Sequence, residues 1–221
     1  MKTDAVLQSD VQKAIRWEPL LDEAEIGVTV KDGVVTLSGY VDSYVKKMEA
    51  ENATKRVIGV RALAENIKVK FARSFSKTDG EIASEVLLAL KRNWSIPSDN
   101  ITVKVEDGWV TLDGELKWNY QKEAAQHAVH DLAGVKGVDN NIRIKSSRHD
   151  AIEKKDIEHA LKRSTIDDSK IKVSVSDDVV TLSGTVDSWY QKGEAGRITW
   201  NTPGVCHVKN DLDIDYEMDF S

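Results

Sequence analysis

The sequence is poor in the residues that build covalent cross-links and in the long apolar runs that cross membranes. It has one cysteine in 221 residues, Cys206, which excludes an internal disulfide and a cysteine-cluster metal site. No apolar run approaches the roughly 18–20 residues of a transmembrane helix. The 31 basic residues are outnumbered by 37 acidic residues, for a formal net charge of −6. Non-specific nucleic-acid binding needs a dense basic surface, so we expect no nucleic-acid partner.

Signatures of catalysis and of secretion are missing as well. The chain has no G-x-S-x-G, no H-E-x-x-H and no glycine-rich phosphate loop, so we predict that it is not an enzyme and needs no cofactor. Cys206 and His207 are adjacent, and on a strand they would point to opposite faces, which disfavours a catalytic pair. The first residues lack the apolar stretch of a signal peptide. This predicts a cytoplasmic protein, or a periplasmic one if a leader has been removed.

What the sequence does contain is one unit in three copies. Segments that begin at Ile26, Ile101 and Ile171 read IGVTVKDGVVTLSG, ITVKVEDGWVTLDG and IKVSVSDDVVTLSG. The match continues downstream and upstream of these segments, with a single-residue deletion in copy three. The distance from one starting residue to the next, Ile26 to Ile101 and Ile101 to Ile171, is too long for a solenoid repeat. It predicts that each copy forms a small domain. We therefore expect minidomains at residues 1–72, 73–147 and 148–221.

Each copy begins with a helical pattern followed by a hairpin pattern. In copy two, apolar residues recur at helical spacing after Thr78-x-x-Glu81, which predicts a capping box at the helix start. Alternating apolar residues then flank Asp32-Gly33 in copy one and Asp107-Gly108 in copy two, which predicts type I′ hairpins. Copy three has Asp177-Asp178 there, so we expect a strained turn or one of another type.

A second helix and a last strand complete the copy. The helix is predicted to run from near Ser43, Asn119 and Ser188 to the glycines at 59, 134 and 204, with Pro203 ending the third helix earlier. The order α-β-β-α-β predicts an α+β fold. We expect three tandem αββαβ minidomains, each a three-stranded mixed sheet covered by two helices.

The repeated string resembles the BON domain family. The pattern V-x-V-x-D-G-x-V-x-L-x-G is followed by a helical alanine, a Gly-Val pair and a final Asn-Ile. Copy three departs from it at Asp178 and Asp211 and ends with Leu212. The resemblance implies that the motif is structural and that the family shares no catalytic residue. Its glycines in this chain are Gly33, Gly39, Gly59, Gly108, Gly114, Gly134, Gly184 and Gly204.

The resemblance also implies association with phospholipid or the cell envelope, often under osmotic or other stress. Aromatic residues and lysines cluster between the hairpin glycine and the second helix, where rings could lie at headgroup level and ammonium groups on phosphates. The alternative is that the rings cover each core or fill contacts between minidomains. The candidate lipid or partner contacts are Tyr40, Tyr44, Lys46, Lys47, Trp118, Tyr120, Lys122, Trp189, Tyr190 and Lys192.

Charge differs between the copies. Their net charges are 0, −1 and −5, and copy three has an acidic run from Asp211 to Asp219. An anionic membrane would repel that run, so copies one and two are the better candidates for lipid contact.

His127 and Asp131 lie at i and i+4 on a predicted helix, where they could form a metal pair. With no third ligand at a suitable spacing, we interpret them as a solvated helix face and predict no metal site.

The sequence therefore predicts a non-enzymatic protein that associates peripherally with phospholipid membranes or the cell envelope. Its predicted partners are phospholipid headgroups or an envelope protein, in osmotic or general stress protection. Two alternatives stay open at this point. One is a soluble protein–protein interaction scaffold, and the other is a sensor that binds a small ligand or a cation. The oligomeric state is open.

Overall fold

The computed structural model describes residues 2–71, 77–145, 154–176, 179–202 and 205–215. Each copy has the element order αββαβ. Repeat one has α1 Asp4–Arg16, β1 Ile26–Lys31, β2 Val34–Val41, α2 Tyr44–Lys55 and β3 Ala62–Val69. Repeat two has α3 Asp79–Arg92, β4 Ile101–Glu106, β5 Trp109–Leu116, α4 Asn119–His130, β6 Gly137–Asn140 and β7 Arg143–Ile144. Repeat three has α5 Lys154–Lys162, β8 Ile171–Ser176, β9 Val179–Val186, α6 Trp189–Trp200 and β10 His207–Ile214.

The second strand of each repeat is the centre of a mixed sheet. It pairs antiparallel with the first strand, so that Val28 lies opposite Leu37, Val103 opposite Leu112 and Val173 opposite Leu182. In repeats two and three the last strand runs parallel to the central strand. In repeat two that last strand is split into β6 and β7, both paired with β5. These sheets and helices confirm the predicted α+β class.

Helical periodicity places one apolar stripe of each first helix in the core. Leu7, Val11 and Ile15 of α1 are buried at spacings of four residues, as are Ile82, Val86 and Leu90 of α3. The alternation along the central strands buries Val35 and Leu37, and their counterparts in the other repeats. Burying a side chain of this size contributes roughly 1.5–3 kcal/mol, so a few such residues decide the stability of a small domain.

The predicted type I′ turns are confirmed in the first two repeats. The φ angles are 53° and 76° at Asp32 and Gly33, and 50° and 80° at Asp107 and Gly108. The structure adds a partner that the sequence did not reveal. The carboxylate of Asp79, at the start of α3, accepts hydrogen bonds from the amides of Asp107 and Gly108, both at 2.9 Å. Asp4 bonds the turn of repeat one in the same way, whereas the Asp177-Asp178 turn lies outside the described residues.

The second helices end earlier than predicted. α2, α4 and α6 each have 12 residues and end at Lys55, His130 and Trp200. Gly59 and Gly134 have φ angles of 105° and 97°, but they lie in the turn that follows the helix and do not end it. Because all three helices end at the same repeat position, Pro203 is not the cause in copy three. Pro203 and Gly204 lie outside the described residues.

The density of internal contacts divides the chain into two compact units. The first unit comprises Met1–Gly39, Met48–Ile67 and Arg148–Ser221, so it holds most of repeat one together with repeat three. The second unit comprises Tyr40–Lys47 and Lys68–Ser147, so it holds repeat two together with the start of α2.

Candidate ligand-binding and partner-binding surface

Most of the predicted contact residues lie at the start of the second helix of a repeat. Lys47, Lys122 and Lys192 are each the fourth residue of α2, α4 and α6, so they occupy one repeat position. In repeats two and three this turn is fastened to the last strand. The side-chain amide of Asn140 donates to the carbonyl oxygen of Lys122 at 2.9 Å, and that of Asn210 donates to Lys192 at 2.7 Å.

In repeat one, this turn contacts repeat two within the second unit. Tyr44 packs against the hydrophobic core of repeat two. The Lys47 ammonium lies 5.9 Å from the ring centroid of Trp109, a cation–π contact. These contacts match the alternative that the aromatic positions fill contacts between minidomains.

The other predicted residues of repeat one have partners nearby. Lys46 bonds Asp42 at 2.9 Å, and this hydrogen-bonded ammonium lowers the pKa of the Asp42 carboxyl. Tyr40 has 49% of its surface exposed, and the Lys70 ammonium lies 3.3 Å from its ring centroid. Both lysines are therefore already engaged at the protein surface.

In repeat two, Trp118 immediately precedes α4 and is half-buried. The side-chain oxygen of Gln121 accepts from the backbone amide of Trp118 at 3.3 Å. Tyr120 is 52% exposed. Burial lowers the pKa of Lys122, because the charged ammonium is partly removed from water.

In repeat three, Trp189 contacts repeat one within the first unit. The Lys55 ammonium lies 5.9 Å from its ring centroid. The indole Nε1 of Trp189 is buried and has no hydrogen-bond partner among the described residues. Tyr190 is 45% exposed, and the Lys192 ammonium donates to the Leu212 carbonyl oxygen at 2.6 Å.

A cleft of about 620 Å³ in the first unit brings the end of α2 together with the start of α6. Trp189, Tyr190 and Gly193 line it on the α6 side. The charged residues in its described lining are four cations and one carboxylate, namely Lys55, Arg56, Lys192, Arg197 and Glu194. We call this the basic cleft.

Three of the four cations have carboxylate partners. Lys55 pairs with Glu51 at 2.5 Å and Arg56 with Glu18 at 2.7 Å. Arg197 donates to both oxygens of Glu194, at 2.8 and 2.6 Å, which lowers the pKa of Glu194. Lys192 is the one cation of the cleft without a carboxylate at ion-pair distance among the described residues. Its charge is therefore available to an anion.

A cleft of about 320 Å³ in the second unit has the opposite charge. It lies between the start of α2 and the end of α4, and Tyr44 lines it. In the part of its lining that the structure describes, the charged residues are Asp42 and Asp131, accompanied by His130. We call this the acidic cleft. Because repeat positions correspond, the two clefts are equivalent contacts with different chemistry.

His127 and Asp131, which the sequence predicts to be a solvated helix face and not a metal pair, are each near His130. His127 Nδ1 lies 2.9 Å from His130 Nε2, and His130 Nδ1 lies 2.6 Å from Asp131. His130 thus stands between His127 and Asp131. Within the described ranges, no group of three histidine, cysteine, aspartate or glutamate side chains is placed to hold a metal ion. Cys206 is partly buried, and the neighbouring His207 is exposed.

Sequence reasoning identified Trp189, Tyr190 and Lys192 as candidate contacts but missed the charged groups that face them. Lys55 and Arg56 belong to repeat one, more than a hundred residues earlier in the chain. Nothing in the linear sequence signals that α2 and α6 meet. The ion pairs of Lys55 with Glu51 and of Arg197 with Glu194 are local to one helix, and that of Arg56 with Glu18 lies within repeat one. What the sequence does not reveal is that these groups share one cleft with Lys192.

Comparison with known proteins agrees with the repeat structure. The BON domain model matches residues 3–70, 78–146 and 149–216. The chain is 29% identical over 146 residues to osmotically-inducible protein Y of Escherichia coli (strain K12), which covers 64% of this chain and 73% of that protein. In the described part of the chain, no helix combines the length and apolar character needed to cross a membrane.

Two solved structures also align with the chain. Both are of CdsD, a structural protein of the type III secretion system of Chlamydia trachomatis. One, of its C-terminal domain, is 18% identical with a TM-score of 0.26 and covers 97% of this chain and 99% of that one. The other is 19% identical with the same TM-score of 0.26 and covers 96% and 93%. With the family model matching each of its three repeats, the chain belongs to the BON domain family.

Proposed function

We propose that this BON-domain protein associates peripherally with anionic phospholipid surfaces of the cell envelope and acts without catalysis in osmotic or general stress protection. The stress role is supported by its similarity to a protein named as osmotically inducible. The cytoplasmic location expected from the sequence remains a prediction.

One observation carries the membrane proposal. In the basic cleft, exposed Tyr190 stands two residues from Lys192, whose charge no described carboxylate neutralises. An amphipathic ring and an ammonium group together match the chemistry of a headgroup region, where rings settle at the interface and cations on phosphates. The proposal therefore places the lipid contact in repeat three, whereas the net charges of the copies favour copies one and two, and the comparison of single-residue variants below distinguishes the two.

The second candidate function is a protein–protein interaction scaffold. It is favoured by Tyr44 and Trp189, which occupy one repeat position and each contact another repeat. A surface that joins repeats in one chain has the chemistry to join a partner protein. Binding that persists at high salt would favour this candidate, because apolar contacts are screened far less than charge contacts.

Co-sedimentation with vesicles tests the membrane proposal. The full chain is mixed with vesicles of phosphatidylglycerol and phosphatidylcholine, or of phosphatidylcholine alone, at low and at physiological salt. We expect sedimentation with the anionic vesicles that weakens with salt. Tyr190→Ala should reduce it, and Tyr120→Ala, at the same repeat position with similar exposure, is the matched control. If the chain sediments with neither vesicle at low salt, the membrane proposal is wrong.

A further inference from the structure

The basic cleft has the chemistry of an anion site, and its counterpart in the second unit does not. The two clefts form at equivalent repeat positions, between the start of one second helix and the end of another. Among the described lining residues, the basic cleft has four cations against one carboxylate, whereas the acidic cleft has two carboxylates and no lysine or arginine. The acidic cleft is therefore a comparison site within the same chain, at which an anion is not expected to bind.

Lys192 is the group that distinguishes the basic cleft. Its ammonium has three donors, and the structure shows one of them bonded to the Leu212 carbonyl oxygen at 2.6 Å. That bond fixes the side chain without neutralising its charge. Removing a cation partly from water is costly unless an anion compensates it. A ligand oxygen would supply that compensation.

The neighbours of Lys192 suit a phosphate group. Arg56 bonds Glu18 through one terminal nitrogen, and a guanidinium has five N–H donors in all. Phosphate offers several oxygens, so it can accept from an arginine and a lysine together. Gly193 adds space, because a Cβ placed there would have no neighbour within 4 Å. At about 620 Å³ the cleft is larger than one phosphate and has the size of a small-molecule site.

We propose that the basic cleft binds a phosphate ester, with Lys192 as the anchoring cation and Arg56 as a second donor. The phosphate belongs either to a lipid headgroup or to a small soluble ester, since both present the same oxygens. The lipid case rests on the function proposed above, whereas the soluble case does not. The acidic cleft should bind neither.

The indole of Trp189 provides a reporter inside the protein. The chain has six tryptophans, so a nitrogen–proton correlation spectrum of the full chain contains few indole signals. Trp189→Phe identifies the signal from the cleft, and Trp94, which is 96% exposed, provides a reference signal. Inorganic phosphate and glycerol phosphate are each titrated against sodium chloride at matched ionic strength.

We expect a saturable shift of the Trp189 signal with glycerol phosphate and with inorganic phosphate. Lys192→Gln should weaken binding about tenfold, the usual effect of losing one charge-assisted hydrogen bond. Lys122→Gln, at the same repeat position in repeat two, should bind as the wild type does. Gly193→Glu should abolish binding, because it places a carboxylate in the cleft, and Gly193→Ala should not.

Two results would overturn the proposal. One is a Trp189 signal that moves no more with either phosphate than with chloride. The other is a Lys192→Gln variant that binds as tightly as Lys122→Gln. Because a Cβ at Gly193 meets no atom within 4 Å, Gly193→Glu is expected to fold and gives an answer even if Lys192→Gln does not.

The same variants in vesicle sedimentation separate this inference from the proposed function. Suppose that Lys192→Gln and Gly193→Glu both sediment with phosphatidylglycerol vesicles as the wild type does, and that both bind glycerol phosphate with the affinity of the wild type. The cleft proposal then fails and membrane association stands. If glycerol phosphate binds and no vesicle sediments the protein, the cleft proposal stands with a soluble ester as ligand. The membrane proposal then fails.

Discussion

At the scale of single residues, the hairpin glycines are fixed by backbone contact as well as by conformation. Gly114 has a φ of +151°, and a Cβ there would lie 2.1 Å from the backbone oxygen of Asn100. Gly39 and Gly184 meet the same obstacle in their own repeats, at 2.0 Å. Glycine is therefore needed at the position of Gly39, Gly114 and Gly184, because the backbone just before the first strand crosses the central strand there.

Gly114→Ala should accordingly destabilise the protein strongly. We expect a loss of at least about 2 kcal/mol, since the clash is with backbone that cannot move aside cheaply. Gly80→Ala is the matched control, because Gly80 lies in α3 and a Cβ there meets nothing within 4 Å. It should stabilise by about 0.5–1 kcal/mol. Urea unfolding of both variants measures the difference, and equal midpoints would contradict the argument.

Asp79 shows how a single side chain joins two elements. Its two carboxylate oxygens each accept one amide of the Asp107-Gly108 turn, and the residue also lies in the first turn of α3. Asp79→Ala leaves both amides without this partner, so we expect a loss of about 1–3 kcal/mol in the free energy of unfolding. Asp113→Asn, on an exposed strand position, should change it by less than about 0.5 kcal/mol. Thermal unfolding distinguishes the two.

At the scale of elements, the start of α3 is a capping box that responds to pH. The backbone amide of Thr78 donates to the carboxylate of Glu81 at 2.8 Å, and the Thr78 hydroxyl does the same. These bonds hold the pKa of Glu81 below its ordinary value. The folded state then binds fewer protons than the unfolded state as the pH falls.

The sign of the pH effect follows from that lowered pKa. The stabilisation of the helix start is complete above the ordinary glutamate pKa of about 4.3. It is lost as the pH falls through the lower pKa of the folded state. Backbone chemical shifts of residues 78–81, followed from neutral pH into the acid range, should move toward non-helical values. Glu81→Gln should remove this titration, and a variant that titrates as the wild type does would show that another group is responsible.

The elements were predictable where local chemistry determines them. The capping box at Thr78, the Asp-Gly turns and the αββαβ order all follow from short-range patterns, and the structure confirms them. The ends of the second helices were not predictable in the same way. Gly59 marks a positive φ in the turn, and that conformation is compatible with a helix that ends there or a few residues earlier.

The candidate site was predictable only in part for a related reason. Aromatic residues and lysines at one repeat position were visible, but their exposure depends on packing between repeats. Lys46 is paired with Asp42, four residues earlier in the chain, whereas Lys192 bonds a carbonyl oxygen and has no ion-pair carboxylate in the described part of the chain. The ion pair of Lys46 is local and could be expected from the sequence, but the presence of Arg56 from another repeat in the cleft of Lys192 depends on packing.

At the scale of the whole molecule, one repeat position serves to join repeats inside each unit. Tyr44 packs on the core of repeat two in the second unit, and Trp189 lies under Lys55 of repeat one in the first unit. The third copy of this position is Asn119, whose amide bonds Glu123 at 2.9 Å within its own helix. A small αββαβ domain has a limited core, so an aromatic ring from another repeat is a substantial addition.

This contact predicts that a substitution in repeat one weakens repeat two. Tyr44→Ser removes a ring from the border of the repeat-two core, and we expect the opening free energy of its central strand to fall by about 1–2 kcal/mol. Native-state hydrogen exchange at Val110 and Leu112, which are fully buried, measures that opening. Tyr40→Ser, four residues earlier and half exposed, is the matched control and should leave exchange in β5 unchanged. Equal protection in the two variants would mean that repeat two is stable without its neighbour. Faster exchange in Tyr44→Ser alone would mean that the aromatic residue at this position stabilises the contact between repeats. Tyr190 and Lys192 would then be the residues of this turn that are available to a ligand.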